Sequence, residues 1–136
     1  MAAHRVALGG ISFEVSDRLY EERVAVYTAP APGPVLSVMY RPEGRAPALL
    51  ADKLRLVARM EEDFELVKSR ELEVAGRPGA EAEMTYRGTA GPATEHVLFV
   101  EKDGGAYVFD LAFSGPRAER EKVGILFAHM ARTVQL

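Results

Sequence analysis

The chain contains no cysteine, which excludes a disulfide framework, a thiolate metal site and a thiol nucleophile. A lipoprotein anchor, which is built on a cysteine, is not expected either. Basic residues are not in excess: 17 Lys and Arg stand against 20 Asp and Glu, for a net charge of −3. Binding to nucleic-acid backbones needs a concentrated positive surface, so no nucleic-acid partner is expected. No apolar run approaches the roughly 20 residues that span a bilayer, and Met1–Gly10 has no apolar stretch of signal-peptide length. The expected setting is the cytoplasm, without membrane insertion.

Catalytic patterns are equally scarce. The three histidines, His4, His96 and His129, include no pair four residues apart, so a His-Glu-x-x-His metal motif is missing. The acids Glu61, Glu62, Asp63 and Glu65 follow a helical stretch and point in different directions, as a solvated helix end does. Gly9-Gly10 and Gly104-Gly105 are turn material and fit no phosphate-cradling loop. Gly88-Thr-Ala-Gly91 has GxxG spacing, but the proline and strand after it lack the context of an RNA-binding loop. No serine sits in a nucleophile elbow. The expectation is a non-enzyme with no metal and no cofactor.

What the chain does have is enough apolar residue, 48% of 136 positions, for one core and one domain over residues 1–136. Short strands are expected at Arg5–Leu8, Ile11–Val15, Val24–Thr28 and Val35–Tyr40, with the proline-rich Ala29–Pro34 as a loop. A helix follows over Pro47–Glu62, its apolar stripe made of Leu49, Leu50, Leu54, Leu56, Val57 and Met60. Phe64–Val74 and Ala80–Arg87 read as an antiparallel pair turning at Gly76-Arg-Pro-Gly79. A last helix begins after Ser114-Gly-Pro116, with Ser114 or Gly115 as N-cap and a stripe of Val123, Leu126, Phe127, Met130 and Val134. The fold class is α+β: an antiparallel β-sheet with one central and one C-terminal helix. Two such helices are expected to cover one face of the sheet rather than both.

The hairpin Thr94–Ser114 carries the most information. Asp103-Gly104 between alternating hydrophobics signals a type I′ turn, whose two central residues both need positive φ. That turn sets Val100 opposite Tyr107, Leu98 opposite Phe109 and His96 opposite Leu111. One hairpin face then holds Leu98, Val100, Tyr107, Phe109, Leu111 and Phe113. The other holds Val97, Phe99, Val108 and Ala112, broken by Glu95, Glu101 and Asp110. A half-apolar second face suggests a binding module. Candidate binding residues are Val97, Phe99, Val108 and Asp110 on that face, with Val24 and Val26, which alternation puts on one side of their strand. Lys53, between Leu50 and Val57 in the helix stripe, is either a snorkelling border residue or part of the same site.

The order of elements resembles the Mog1/PsbP-like fold and, within it, the DcrB-like domain of the Eag chaperones that serve type VI secretion effectors. The resemblance is carried by Ile11-Ser-Phe-Glu-Val15, Val24-Ala-Val-Tyr-Thr-Ala-Pro30, Val35–Arg41, the leucine-rich helix ending in Asp63-Phe-Glu-Leu66, Leu72-Glu-Val-Ala-Gly76, and the hairpin with its terminal helix. Ser16 and Leu19 stand where that class has a proline and a tryptophan. The resemblance implies a cytoplasmic homodimer whose sheet faces grip the hydrophobic N-terminal transmembrane helices of a secreted effector before export. It places Val24 and Val26 at a groove-lining apolar pair, and Lys53 and Val97 where some members use polar groove residues. The other reading open at this point is a Mog1/PsbP-like interaction or assembly module that binds a folded soluble partner.

Overall fold

In a computed structural model, the described residues are 3–8, 11–16, 23–28, 34–88, 91–114 and 117–135. Ala3–Leu8 (β1) pairs with Ile11–Ser16 (β2) in a two-stranded sheet. A six-stranded antiparallel sheet is built from Arg23–Thr28 (β3), Val35–Arg41 (β4), Glu62–Val74 (β5), Arg77–Gly88 (β6), Gly91–Lys102 (β7) and Gly105–Ser114 (β8). Its order is β3-β4-β8-β7-β6-β5. Helix α1 (Ala46–Met60) joins β4 to β5, and α2 (Arg117–Thr133) follows β8.

The expected hairpin register holds. Asp103 and Gly104 take φ of 54° and 83°, and Val100, Leu98 and His96 face Tyr107, Phe109 and Leu111. The β5–β6 turn is tighter than expected. Ala75 and Gly76, with φ of 52° and 78°, form it alone, and Arg77-Pro-Gly79 already belongs to β6. Pro78 is tolerated because the β6–β7 ladder begins only at Gly79, so Pro78 has a ladder partner on the β5 side alone.

Helix α1 stops at Met60 rather than Glu62, and Asp63, at φ 54°, marks a register shift at the start of β5. The acids beyond Met60 therefore open a strand instead of lengthening a helix whose C-terminal dipole they would oppose. At the other end, Arg45 gives α1 no side-chain cap; the Ala46 amide donates instead to Glu101 Oε2 at 3.0 Å, a carboxylate supplied by β7. Ser114 is the last residue of β8; the alternative cap, Gly115, lies outside the described residues.

The helices do not share a face. Helix α1 lies across β5, β6 and β7, and α2 packs on β7 and β8 on the other side. Ala46, Leu50 and Val57 from α1 close over Ala80, Ala82, Met84, Val97, Phe99 and Val108. Val123 and Phe127 from α2 close over Leu98, Val100, Leu111 and Phe113. The layer arrangement is thus helix, sheet, helix, and the expectation of a single covered face is corrected. A sheet half-apolar on its second side buries that side too, because unburied area there forfeits hydrophobic free energy.

Candidate functional site

Each helix is too narrow for the sheet it covers. Six strands about 4.8 Å apart span roughly 24 Å, whereas a helix is about 10 Å across. On the α1 side, the main helix contacts are with β5, β6 and β7, and the helix meets β8 and β4 at its edge, through Val108, Asp110 and Met39. A groove of about 830 Å³ runs there, between Met39, Val108 and Asp110 on the sheet and Leu49, Lys53 and Leu56 on α1.

The pairing explains how distant residues converge. One row across the sheet reads Val26, Ser37, Asp110, Val97 and Ala82. The next reads Met39, Val108, Phe99 and Ala80. Alternation along each strand sends both rows to the α1 side. Four expected site residues, Val97, Phe99, Val108 and Asp110, therefore occupy one face, and Val26 takes a paired backbone position in the first row. Val24 falls in the register shift between Arg23 and Ala25 and has no paired position.

Val97, Phe99 and Val108 are not an uncovered surface. Each is 4% exposed or less, because Leu50 and Val57 of α1 pack into the same cluster. Phe99 and Val108 line the groove, and Val97 is buried in the same cluster without lining it. The site's accessible apolar edge comes from residues that the sequence reading assigned to the core stripe. Leu56 is 49% exposed and Met60 69%, and with Leu49 and Lys53 they follow a 49, 53, 56, 60 spacing along one side of α1.

Lys53 interrupts that seam by turning inward instead of snorkelling to water. Its Nζ lies 3.1 Å from Glu95 Oε2 and 3.2 Å from Asp110 Oδ2. The two carboxyls are hydrogen-bonded to each other, and the Tyr86 hydroxyl donates to Glu95 Oε1 at 2.7 Å. Burial, then the neighbouring Glu95, push Asp110 up to about 8. Burial acts on Glu95 in the same direction, but the Asp110 hydrogen bond and the Lys53 charge outweigh it and hold Glu95 below its ordinary value. Burial alone would lower Lys53; its two acid partners raise it above the usual lysine value. At neutral pH the cluster is therefore an ammonium, a carboxylate and a carboxylic acid donating to that carboxylate. Its net charge is zero, which is what a poorly hydrated site tolerates.

In the sequence Glu95 is a break in an apolar face and Tyr86 a strand residue, and neither is a candidate binding residue. A lysine inside an apolar helix stripe, facing two acids inside an apolar strand face, is the signal that links them. Elsewhere, His96 is buried on the α2 side with Nε2 3.6 Å from Glu83 Oε2 and its ring against Phe127, and His129 is exposed. Among the described residues, no group of three acids, histidines or cysteines is placed to hold a metal ion. Likewise no helix there is long and apolar enough to cross a membrane.

No protein-family model and no curated protein sequence matches the chain. Solved structures do. Protein PA94 from Pseudomonas aeruginosa, of unknown function, superposes with a TM-score of 0.73 at 13% identity, over 98% of this chain and 96% of that one. The cyanobacterial PsbP of Synechocystis sp. PCC 6803 superposes with a TM-score of 0.55 at 13% identity, over 95% and 89%. The fold is Mog1/PsbP-like. Identity this low speaks for the architecture alone, and the expected fold class, an antiparallel sheet with two helices, is the one observed.

Proposed function

We propose that this Mog1/PsbP-like domain is a protein-interaction module, and specifically an effector-associated chaperone for type VI secretion. In this reading it works in the cytoplasm as a homodimer and shields the hydrophobic N-terminal transmembrane helices of its effector until export. The observation that carries the reading is the groove beside α1, with Leu49 and Leu56 of the helix and Met39 of β4 as its apolar lining and the exposed Met60 one turn further along the helix. A transmembrane segment in water exposes a large apolar surface, and covering it gains about 25 cal/mol per Å². A helix laid in the groove would meet Met39 of β4 on one side and Leu49 and Leu56 of α1 on the other. The resemblance of the element order to the Eag chaperones supports the choice of client. The proposed function involves no catalysis; in it the polar groups at the site, which are held by one another, serve the fold and the groove.

Co-expression tests this. The N-terminal transmembrane segment of an effector encoded beside this chain, which aggregates alone, is expected to stay soluble and to co-purify with it. Aggregation of that segment despite co-expression overturns the chaperone reading. Recovery of a folded soluble partner in its place would favour the assembly-module reading of the same fold.

A further inference from the structure

The groove is lined by Lys53 and Asp110 as well as by apolar side chains, and that gives a covering helix a property that area alone does not. We propose that covering the groove takes up a proton onto the Glu95–Asp110 carboxyl pair, so that an apolar helix is held at neutral pH and released as the solution turns alkaline. This rests on the helix-binding reading above and adds its regulation.

The argument is geometric. Four elements contribute an ionisable group to the cluster behind the groove: Lys53 from α1, Tyr86 from β6, Glu95 from β7 and Asp110 from β8. Asp52 on α1, Arg41 on β4 and Glu43 after it stand at the rim. The inner four touch in a chain, Tyr86 to Glu95, Glu95 to Asp110, and both acids to the one ammonium of Lys53. Two carboxylates facing one ammonium leave one negative charge over; a single proton on the pair removes it.

Water at the open side of the groove solvates that extra charge in the free protein. The Lys53 side chain retains 28% of its exposure and Asp110 12%. An apolar helix laid across them displaces this water and supplies no counter-charge, so the charged form of the cluster is penalised and the neutral form is not. Whatever favours the protonated pair in the free protein favours it further in the complex. By linkage, binding then consumes a proton wherever the free pair has begun to lose it. The direction already present in the free protein agrees: burial and Glu95 hold the Asp110 proton to about pH 8. Lys53 and Tyr86 are both shifted upward, so neither titrates ahead of the acids.

The experiment is isothermal titration of a synthetic 20-residue Leu/Ala helix, flanked by lysines and kept soluble in mild detergent, into the full chain. It is run from pH 6 to pH 10 in pairs of buffers with different ionisation enthalpies. Affinity is expected to be flat below pH 7 and to fall by tenfold or more between pH 7 and pH 10, with proton uptake approaching one per helix at pH 9. In Asp110→Asn the pH dependence disappears, whatever the affinity of that variant. Binding that occurs with no proton uptake and no pH dependence overturns the linkage and leaves the helix site standing. An absence of binding at every pH overturns the site itself, and the linkage with it.

Discussion

Tyr86 and Glu95 lie on adjacent strands, and the 2.7 Å hydrogen bond between them anchors the carboxylate on which Lys53 and Asp110 converge. A buried carboxylate with three neighbours is rigid; with two it must find water or a new geometry. Tyr86→Phe is therefore expected to destabilise the fold by about 1.5–3 kcal/mol, the range for a hydrogen bond to a charged group. Removing the hydroxyl also removes one influence that lowers Glu95, so the Glu95 carboxyl should titrate at a higher pH. Urea unfolding measures the first effect and carbon-detected NMR of the carboxyl the second. Unchanged values for both would contradict the geometry of the cluster.

The same cluster fixes how stability depends on pH. Asp110 titrates near its ordinary 3.8 when unfolded and at about 8 when folded, so between those values the native state holds a proton the unfolded chain has lost. Its contribution is complete below about pH 4 and declines as pH rises toward 8. Glu95, shifted downward, works the other way: its contribution is present above its unfolded value and is lost as the solution is acidified through its folded one. Stability from pH 5 to pH 8 is expected to fall with a slope of at most ~1.4 kcal/mol per unit from Asp110. Asp110→Asn keeps a donor for Glu95 and should flatten that slope, as read by unfolding at each pH.

How far the sequence carries the fold depends on how local each signal is. Asp103-Gly104 sets a register by itself, since two successive residues at positive φ close the hairpin in one way. Gly76-Arg-Pro-Gly79 looked like a longer turn because glycine and proline punctuate turns on average. Whether Pro78 can sit in a strand depends on where the β6–β7 ladder begins, which is a tertiary fact. The placement of α2 on the opposite face from α1 is tertiary too: both helices carry an apolar stripe, and neither stripe says which side of the sheet it meets. For the site, strand alternation put Val97, Phe99, Val108 and Asp110 together across two strands. At Val24 the alternation is interrupted, because an irregularity in the β3–β4 pairing shifts the register. Lys53 was visible as an interruption in a stripe, but its partners lie more than 40 residues away on β7 and β8. Leu56 and Met60 were assigned to the core because periodicity finds an apolar face without revealing how much of it the sheet covers.

Gly105 shows a constraint of the backbone rather than of charge. A Cβ at this position would run into the Arg41 carbonyl oxygen and come within 2.8 Å of the Pro42 carbonyl carbon, both main-chain atoms. Neither can swing aside as a side chain does. Gly105→Ala is expected to cost about 1–3 kcal/mol, the usual penalty for overpacking, and to pry the end of β4 from the start of β8. A drop in the denaturant midpoint checks the cost. Faster exchange of amide hydrogens at the Arg41–Ala106 pairing, relative to the β5–β6 ladder, checks the location.

Exposure separates what Leu56 and Met60 do for the fold from what they do for a client. At 49% and 69% exposed, they bury too little in the free chain to matter much, and the paired change Leu56→Gln and Met60→Gln should alter stability by no more than about 0.5 kcal/mol per site, as at other surface positions. Leu56 lines the groove and Met60 follows it one turn further along α1, so an apolar helix in the groove that runs on past its end would cover both, and burying one side chain of this size is worth about 1.5–3 kcal/mol. Partial burial of the two together corresponds to a tenfold to hundredfold loss of affinity for the Leu/Ala helix. Ile125→Gln supplies the comparison, since Ile125 is equally apolar and 71% exposed but belongs to α2 on the opposite face. If the groove beside α1 is the docking surface, the α1 pair weakens binding and Ile125→Gln leaves it unchanged. Equal losses from both would mean that the helix is held by general greasiness of the surface rather than by this groove.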